Sequence, residues 1–170
     1  MVSEKWFENS ENLSIARVVG LEGQYRTDSL ICAIEAAVLV KDEDESADIS
    51  EGELTILAVE AMEREVNNGG FAQFFQNDSC RFTPYLSAAL SRIGATKTQA
   101  LVDKAIDTLG MGLLTSSTDV SDFYAQMQEA VEKDETIDNL DTLDAKYYEL
   151  REDVCDLLFQ YVKQNLGEFA

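Results

Sequence analysis

Carboxylates are nearly the only groups in this chain numerous and closely spaced enough to do chemistry. The sequence holds 33 Asp and Glu against 13 Lys and Arg, a formal charge of -20, and no His. Without imidazole, neither Ser-His-Asp nor Cys-His nucleophile activation can be assembled within one chain. His-ligated zinc and iron sites are excluded for the same reason. Cys32, Cys80 and Cys155 form no C-x-x-C pair, and at least one stays unpaired within the chain. They are expected to be reduced, mostly buried thiols of a cytoplasmic protein. A hydrolase holding its metal with carboxylates alone is the remaining enzymatic class, but no Glu-x-x-His or comparable spacing supports it. No catalytic residue, metal site or cofactor is therefore expected.

The densest acidic run, Asp42 to Glu53, fits part of a twelve-residue EF-hand loop. Oxygen-bearing side chains occupy loop positions one, three, five and nine, and Glu53 stands at twelve. Ile49 takes the usual apolar place. Against this, Ala47 stands where the sharp turn needs Gly, no second loop appears, and Ser50 already reads as a helix N-cap. The plainer reading is an acidic connection between helices; the alternative is a calcium-responsive or general helical interaction module.

The charge is divided unevenly. Residues 1–41 carry a net -2, residues 42–65 a net -9, residues 66–118 a net +1 and residues 119–170 a net -10. Such a surface repels phosphates, which argues against direct contact with nucleic acid or an anionic membrane and favours a basic partner. Duplex DNA carries one charge per about 1.7 Å of axis, so 20 charges correspond to roughly 34 Å, near one turn. A folded chain of this charge can therefore imitate a short DNA segment. An ordinary solvated surface, or a halophilic one, would also be acidic. The residues expected to meet a basic partner are Asp42, Glu43, Asp44, Glu45, Glu60 and Glu63 in the first acidic segment. In the second they are Glu129, Glu132, Asp138, Asp141, Glu149, Glu152, Asp153 and Asp156.

Helices must position these groups. Helical periodicity dominates, alternation of β-branched residues is scarce, and there is only 1 Pro. Hydrophobic residues make up 45%, enough for a packed core in a chain of this length. The expectation is an all-α fold, a single domain over 1–170, built as a compact bundle of about seven helices. The predicted helices begin with one within Ser3–Val18 and one over Thr27–Val40. A third opens with a capping box at Ser50–Glu53 and stops at Asn68-Gly69-Gly70. A short aromatic helix follows over Phe71–Asn77. The next is started by Thr83-Pro84 and stopped by Gly94, and another spans Thr96–Leu109. The last two cover Ser121–Lys133 and Leu143–Asn165. The final helix is predicted to be the longest, with Leu143, Tyr147, Leu150, Val154, Leu157 and Tyr161 inward and Glu149, Glu152, Asp153 and Asp156 outward. The N-terminal residues Met1–Trp6 lack an apolar signal core. The apolar stretch Leu30–Val40 is broken by Glu35 and too short to span a bilayer.

The most distinctive stretch is Glu65-Val66-Asn67-Asn68-Gly69-Gly70-Phe71-Ala72-Gln73-Phe74-Phe75-Gln76-Asn77. Its Gly-rich turn before a helix could present amides to an anion, but it lacks the Lys and Ser/Thr of a phosphate loop. Phe71, Phe74 and Phe75 have helical spacing and are expected in the core. Glu65 falls on the apolar side of its helix, where it is expected to accept bonds from the turn amides. This stretch closely resembles the E-x-N-N-G-G-F-x-Q-F-F-x-N signature of a bacterial family of acidic DNA-mimic proteins, typified by a nineteen-kilodalton member. The resemblance continues through Thr83-Pro84-Tyr85 and Leu90–Leu109.

The resemblance implies an all-helical fold and a homodimer. It further implies binding to a basic helix-turn-helix-type transcriptional regulator, which is thereby kept off its operator. The signature residues Glu65, Asn67, Asn68, Gly69, Gly70, Phe71, Phe74 and Phe75 take a scaffold role. The acidic positions named above are inferred from charge, not transferred from the family.

Overall fold

A computed structural model describes residues 5–8, 13–43, 47–111 and 120–169. Eight α-helices carry these residues: α1 (Ile15–Val19), α2 (Thr27–Asp42), α3 (Glu51–Gln76), α4 (Thr83–Ile93), α5 (Thr96–Thr108), α6 (Val120–Val131), α7 (Asp134–Glu149) and α8 (Val154–Gln164). Short 3-10 turns follow α3 and α8. No strand occurs among the described residues, so the fold is all-α as expected. Among the described residues no helix is long and apolar enough to cross a membrane.

Contacts divide the chain into two compact units, residues 1–57 with 153–170, and residues 58–152. The division falls within α3.

In the first unit, α1 and α2 pack on α8. Ile15, Val18, Leu30, Ile34, Val38, Leu158 and Phe159 are buried there. The capping box is present. The Ser50 amide donates to Glu53 Oε2 at 2.8 Å, and the Glu53 amide donates to Ser50 Oγ at 3.1 Å. This satisfies two donors that a helix start leaves open. Lys41 Nζ closes on the same carboxylate at 2.8 Å. The first predicted helix shrinks to the five residues of α1, since Lys5–Glu8 is not helical; residues 1–4 and 9–12 lie outside the described residues.

The second unit holds the remainder of α3 with α4, α5, α6 and α7. Gly94 ends α4 in the left-handed region at φ 81°, where the Ala95 amide returns to the Leu90 carbonyl at 2.9 Å. Thr83 differs from expectation. Its hydroxyl donates to the Cys80 carbonyl at 2.7 Å instead of capping α4.

The predicted final helix is two helices. α7 begins nine residues earlier than expected, at Asp134, and ends at Glu149. Leu150 then takes extended backbone (φ -71°, ψ 124°), and Asp153 caps a new helix by accepting from the Asp156 amide at 2.9 Å. Of the stripe predicted across the join, Val154 and Tyr161 are buried in α8 as expected, but Leu157 is only half-buried, and Leu158, Phe159 and Val162, which the stripe left out, are buried as well. The thiols also differ from expectation: Cys80 is buried, Cys155 half-buried and Cys32 exposed.

Candidate partner-binding surface

α7 is the element that arranges carboxylates. Thr136, Leu140, Leu143 and Tyr147 recur at steps of four, three and four and are buried. On a helix of 3.6 residues per turn, the side opposite them carries Asp134, Asp138, Asp141 and Glu149. All four are exposed, and exposed Ala145 fills the remaining place on that side. Asp134 to Glu149 spans roughly 22 Å of axis at 1.5 Å per residue. One DNA strand carries a charge every 3.4 Å or so. The α7 row alone is therefore sparser than a strand, and matching it needs the neighbouring acids. Glu129 on α6, Glu132 just beyond it and Glu135 on α7 are further exposed carboxylates in the adjoining chain. Lys133 and Lys146 are also exposed here, so the surface is acidic without being uniformly so.

Of the expected residues, the structure thus places Asp138, Asp141 and Glu149 on one exposed face of α7 and leaves Glu129 and Glu132 exposed before it in the chain. It adds Asp134 and Glu135, which sequence reading missed because it began the last helix at Leu143. The run Asp134-Glu135 after Lys133 is the ordinary acidic start of a helix and was the available signal.

The other expected acids are placed differently. Glu152 is half-buried and accepts from the Thr98 amide at 2.7 Å and the Lys97 amide at 3.3 Å. Those amides open α5, whose own cap position is Ala95. Glu152 therefore caps a helix remote in sequence. Burial pushes its carboxyl up, but the Thr98 and Lys97 donors outweigh that and hold it below 4.5. Glu63 accepts from the Tyr147 hydroxyl. Burial, then the Glu63 charge, push that phenol well above its usual range. Glu60 and Asp42 are half-buried. Glu43, Asp153 and Asp156 are exposed in the first unit. Asp44 and Glu45 lie outside the described residues. The row predicted from Glu149, Glu152, Asp153 and Asp156 does not exist as one helix face, because α7 stops before Glu152 and the last two belong to the start of α8.

Glu53, which would close a calcium loop, is 5% exposed and committed to Lys41 and Ser50. Burial raises its carboxyl, yet Lys41 and Ser50 together leave it below 4.5. Among the described residues, no group of three or more Cys, Asp or Glu is arranged to hold a metal ion.

The signature stretch lies behind α7. α3 breaks at Gly69 and Gly70, and Gly70 has φ 79° and ψ -178°, a conformation open essentially to glycine alone. Phe71, Phe74 and Phe75 are buried as expected, Phe74 and Phe75 edge to face at 5.3 Å. Glu65 has a different role from the one expected. It accepts from Gln73 Nε2 at 2.7 Å, Asn77 Nδ2 at 2.8 Å and Ser79 Oγ at 2.9 Å. Burial raises this carboxyl, and the three donors more than reverse that, leaving it below 4.5. The turn amide of Phe71 goes instead to Asp144 Oδ1 of α7 at 2.8 Å. Burial holds the Asp144 carboxyl above its usual range, only partly offset by that amide. Asn68 Nδ2 donates to Gln73 Oε1 at 3.1 Å, and Asn67 Nδ2 to the Glu63 carbonyl at 2.7 Å.

No curated protein and no solved structure shows significant similarity to the chain. A family profile does match, over residues 47–165, which takes in the signature and both helices of the carboxylate surface. With that match covering more than half of its length, the chain belongs to the DMP19-like protein family, a family of DNA mimics.

Proposed function

We propose that this protein is a non-enzymatic DNA mimic that occupies the DNA-binding face of a basic helix-turn-helix-type transcriptional regulator and so keeps it off its operator. The observation that carries this reading is the exposed row Asp134, Asp138, Asp141 and Glu149 on α7. Lys and Arg that grip phosphates would meet carboxylates there. The charge would speed encounter and exclude acidic partners. No direct contact with nucleic acid or membrane enters this scheme. A homodimer would double the row and suit a two-fold regulator whose half-sites lie about 34–36 Å apart.

The test is displacement of a labelled operator from its regulator by increasing amounts of the protein, read by gel shift. Complete displacement at about 0.1 M salt is expected. Asp138→Asn with Asp141→Asn should need roughly tenfold more protein, as the loss of two rim charges implies. Failure to displace DNA from any of several basic regulators would sink the proposal.

A further inference from the structure

The signature and the carboxylate row are joined through α7, and the join has a specific physical origin. A helix break leaves an acceptor without a partner before it and a donor without a partner after it. Here α7 meets one of each. Tyr148 donates its hydroxyl to the Val66 carbonyl at 2.6 Å, just before the break. Asp144 accepts from the Phe71 amide at 2.8 Å, just after it. Asp144 and Tyr148 are four residues apart, one turn of α7. Between them Tyr147 donates to Glu63 and packs its ring edge to face with Phe71 at 5.9 Å. An unbroken α3 would offer neither the carbonyl nor the amide.

We propose that the Glu65–Asn77 signature is a positioning latch for α7: its broken helix grips Asp144, Tyr147 and Tyr148 and thereby fixes the rotation at which the opposite face shows its carboxylates. Gly70 is required twice over. Its backbone sits at φ 79°, and a Cβ there would lie 2.0 Å from Asp144 Oδ2. Glu65 holds the latch shut by tying Gln73 and Asn77, from beyond the break, to the helix before it. A slip of one residue would swing the row by about 100° of helix rotation and replace Asp138 and Asp141 with other side chains. The use of that fixed row rests on the DNA-mimic reading; the latch itself does not.

Native-state hydrogen exchange of the full chain tests the latch. In Asp144→Ala, amides of α7 should exchange about tenfold faster, the size expected for losing one buried hydrogen bond. α2 and α8 should be unchanged. Asp144→Asn keeps an acceptor for the Phe71 amide and should restore slow exchange to within about twofold. Tyr148→Phe should loosen α7 with its ring still in place.

Two binding probes read the consequence: a purified, rigid helix-turn-helix domain of high isoelectric point, and a dodecalysine peptide. Asp144→Ala should weaken the rigid domain about tenfold and leave the flexible peptide within about twofold, since only a rigid partner needs a fixed row. Unchanged α7 exchange in both Asp144→Ala and Tyr148→Phe overturns the latch. So does faster exchange spread evenly over the chain, which marks general destabilisation. If α7 alone loosens while the unmodified chain binds neither probe, the latch stands and the DNA-mimic reading falls.

Discussion

Glu65 shows how a residue can be essential to a signature without touching a ligand. Its two oxygens accept three side-chain donors, two of them from the signature itself. Glu65→Ala would leave two of those donors, Gln73 Nε2 and Ser79 Oγ, unpaired in a half-buried place, at a cost of about 1–3 kcal/mol. A lower urea midpoint with an unchanged slope is the expected reading. The same residue contributes to acid sensitivity. Its folded pKa lies below 4.5, so its stabilisation is complete above 4.5 and disappears as pH falls through the lower folded value. Glu53 and Glu152 act in the same direction. Asp144 acts oppositely. Its folded pKa is raised, so its contribution is complete below its unfolded value and is lost as pH rises through the folded one. Glu65→Ala should therefore flatten the loss of stability below pH 4.5, measured as urea midpoint against pH; an unaltered acid limb would contradict this assignment.

At the scale of elements, two helices start on carboxylates, one local and one remote. Asp153 caps its own helix with a local bond to the Asp156 amide, a start that the sequence reading passed over by running one helix through Leu143–Asn165. Glu152 caps α5 from fifty-odd residues away, and no pattern in the sequence announces it. Glu152→Ala should cost about 1 kcal/mol, the usual worth of a helix cap. Thermal unfolding should show a lower midpoint, and amides at the start of α5 should exchange faster. No change at α5 would remove the capping role and return Glu152 to the partner-facing set. The neighbouring acids differ in kind. Asp134, Asp138 and Asp141 lie three or four apart on one face, a spacing at which like charges destabilise a helix by a few tenths of a kcal/mol per pair. A helix face that weakens its own helix, and is held against α5 and the α3 break by its other side, suits a surface kept for a partner.

For the whole molecule, the charge of -20 acts on folding and on binding with opposite signs. Self-repulsion disfavours the compact state, while attraction to a basic partner favours the complex. Salt screens both, over a Debye length of about 8 Å at physiological ionic strength. Raising salt from about 0.05 to 0.5 M should therefore raise the thermal midpoint and weaken binding to a basic regulator by at least about tenfold. Calorimetric scans and a salt titration of the complex check the two signs. Binding indifferent to salt would mean that the contact is not made by the carboxylate surface.

The sequence by itself determined the helical class, most helix starts and stops, the reciprocal Ser50–Glu53 cap, the burial of Phe71, Phe74 and Phe75, and the family. These rest on periodicity, caps and glycines, which act within a turn or two of chain. Local signals also carried the break at Gly69-Gly70. Only the tertiary structure decided which carboxylates are available. Glu63 and Glu152 look on paper like Asp138 and Asp141, but the first two are held by groups that folding brings to them. It also decided that Asp144 and Tyr148 meet the two sides of the break. A carboxylate's role depends on the donors around it, and those donors come from segments that sequence spacing does not relate.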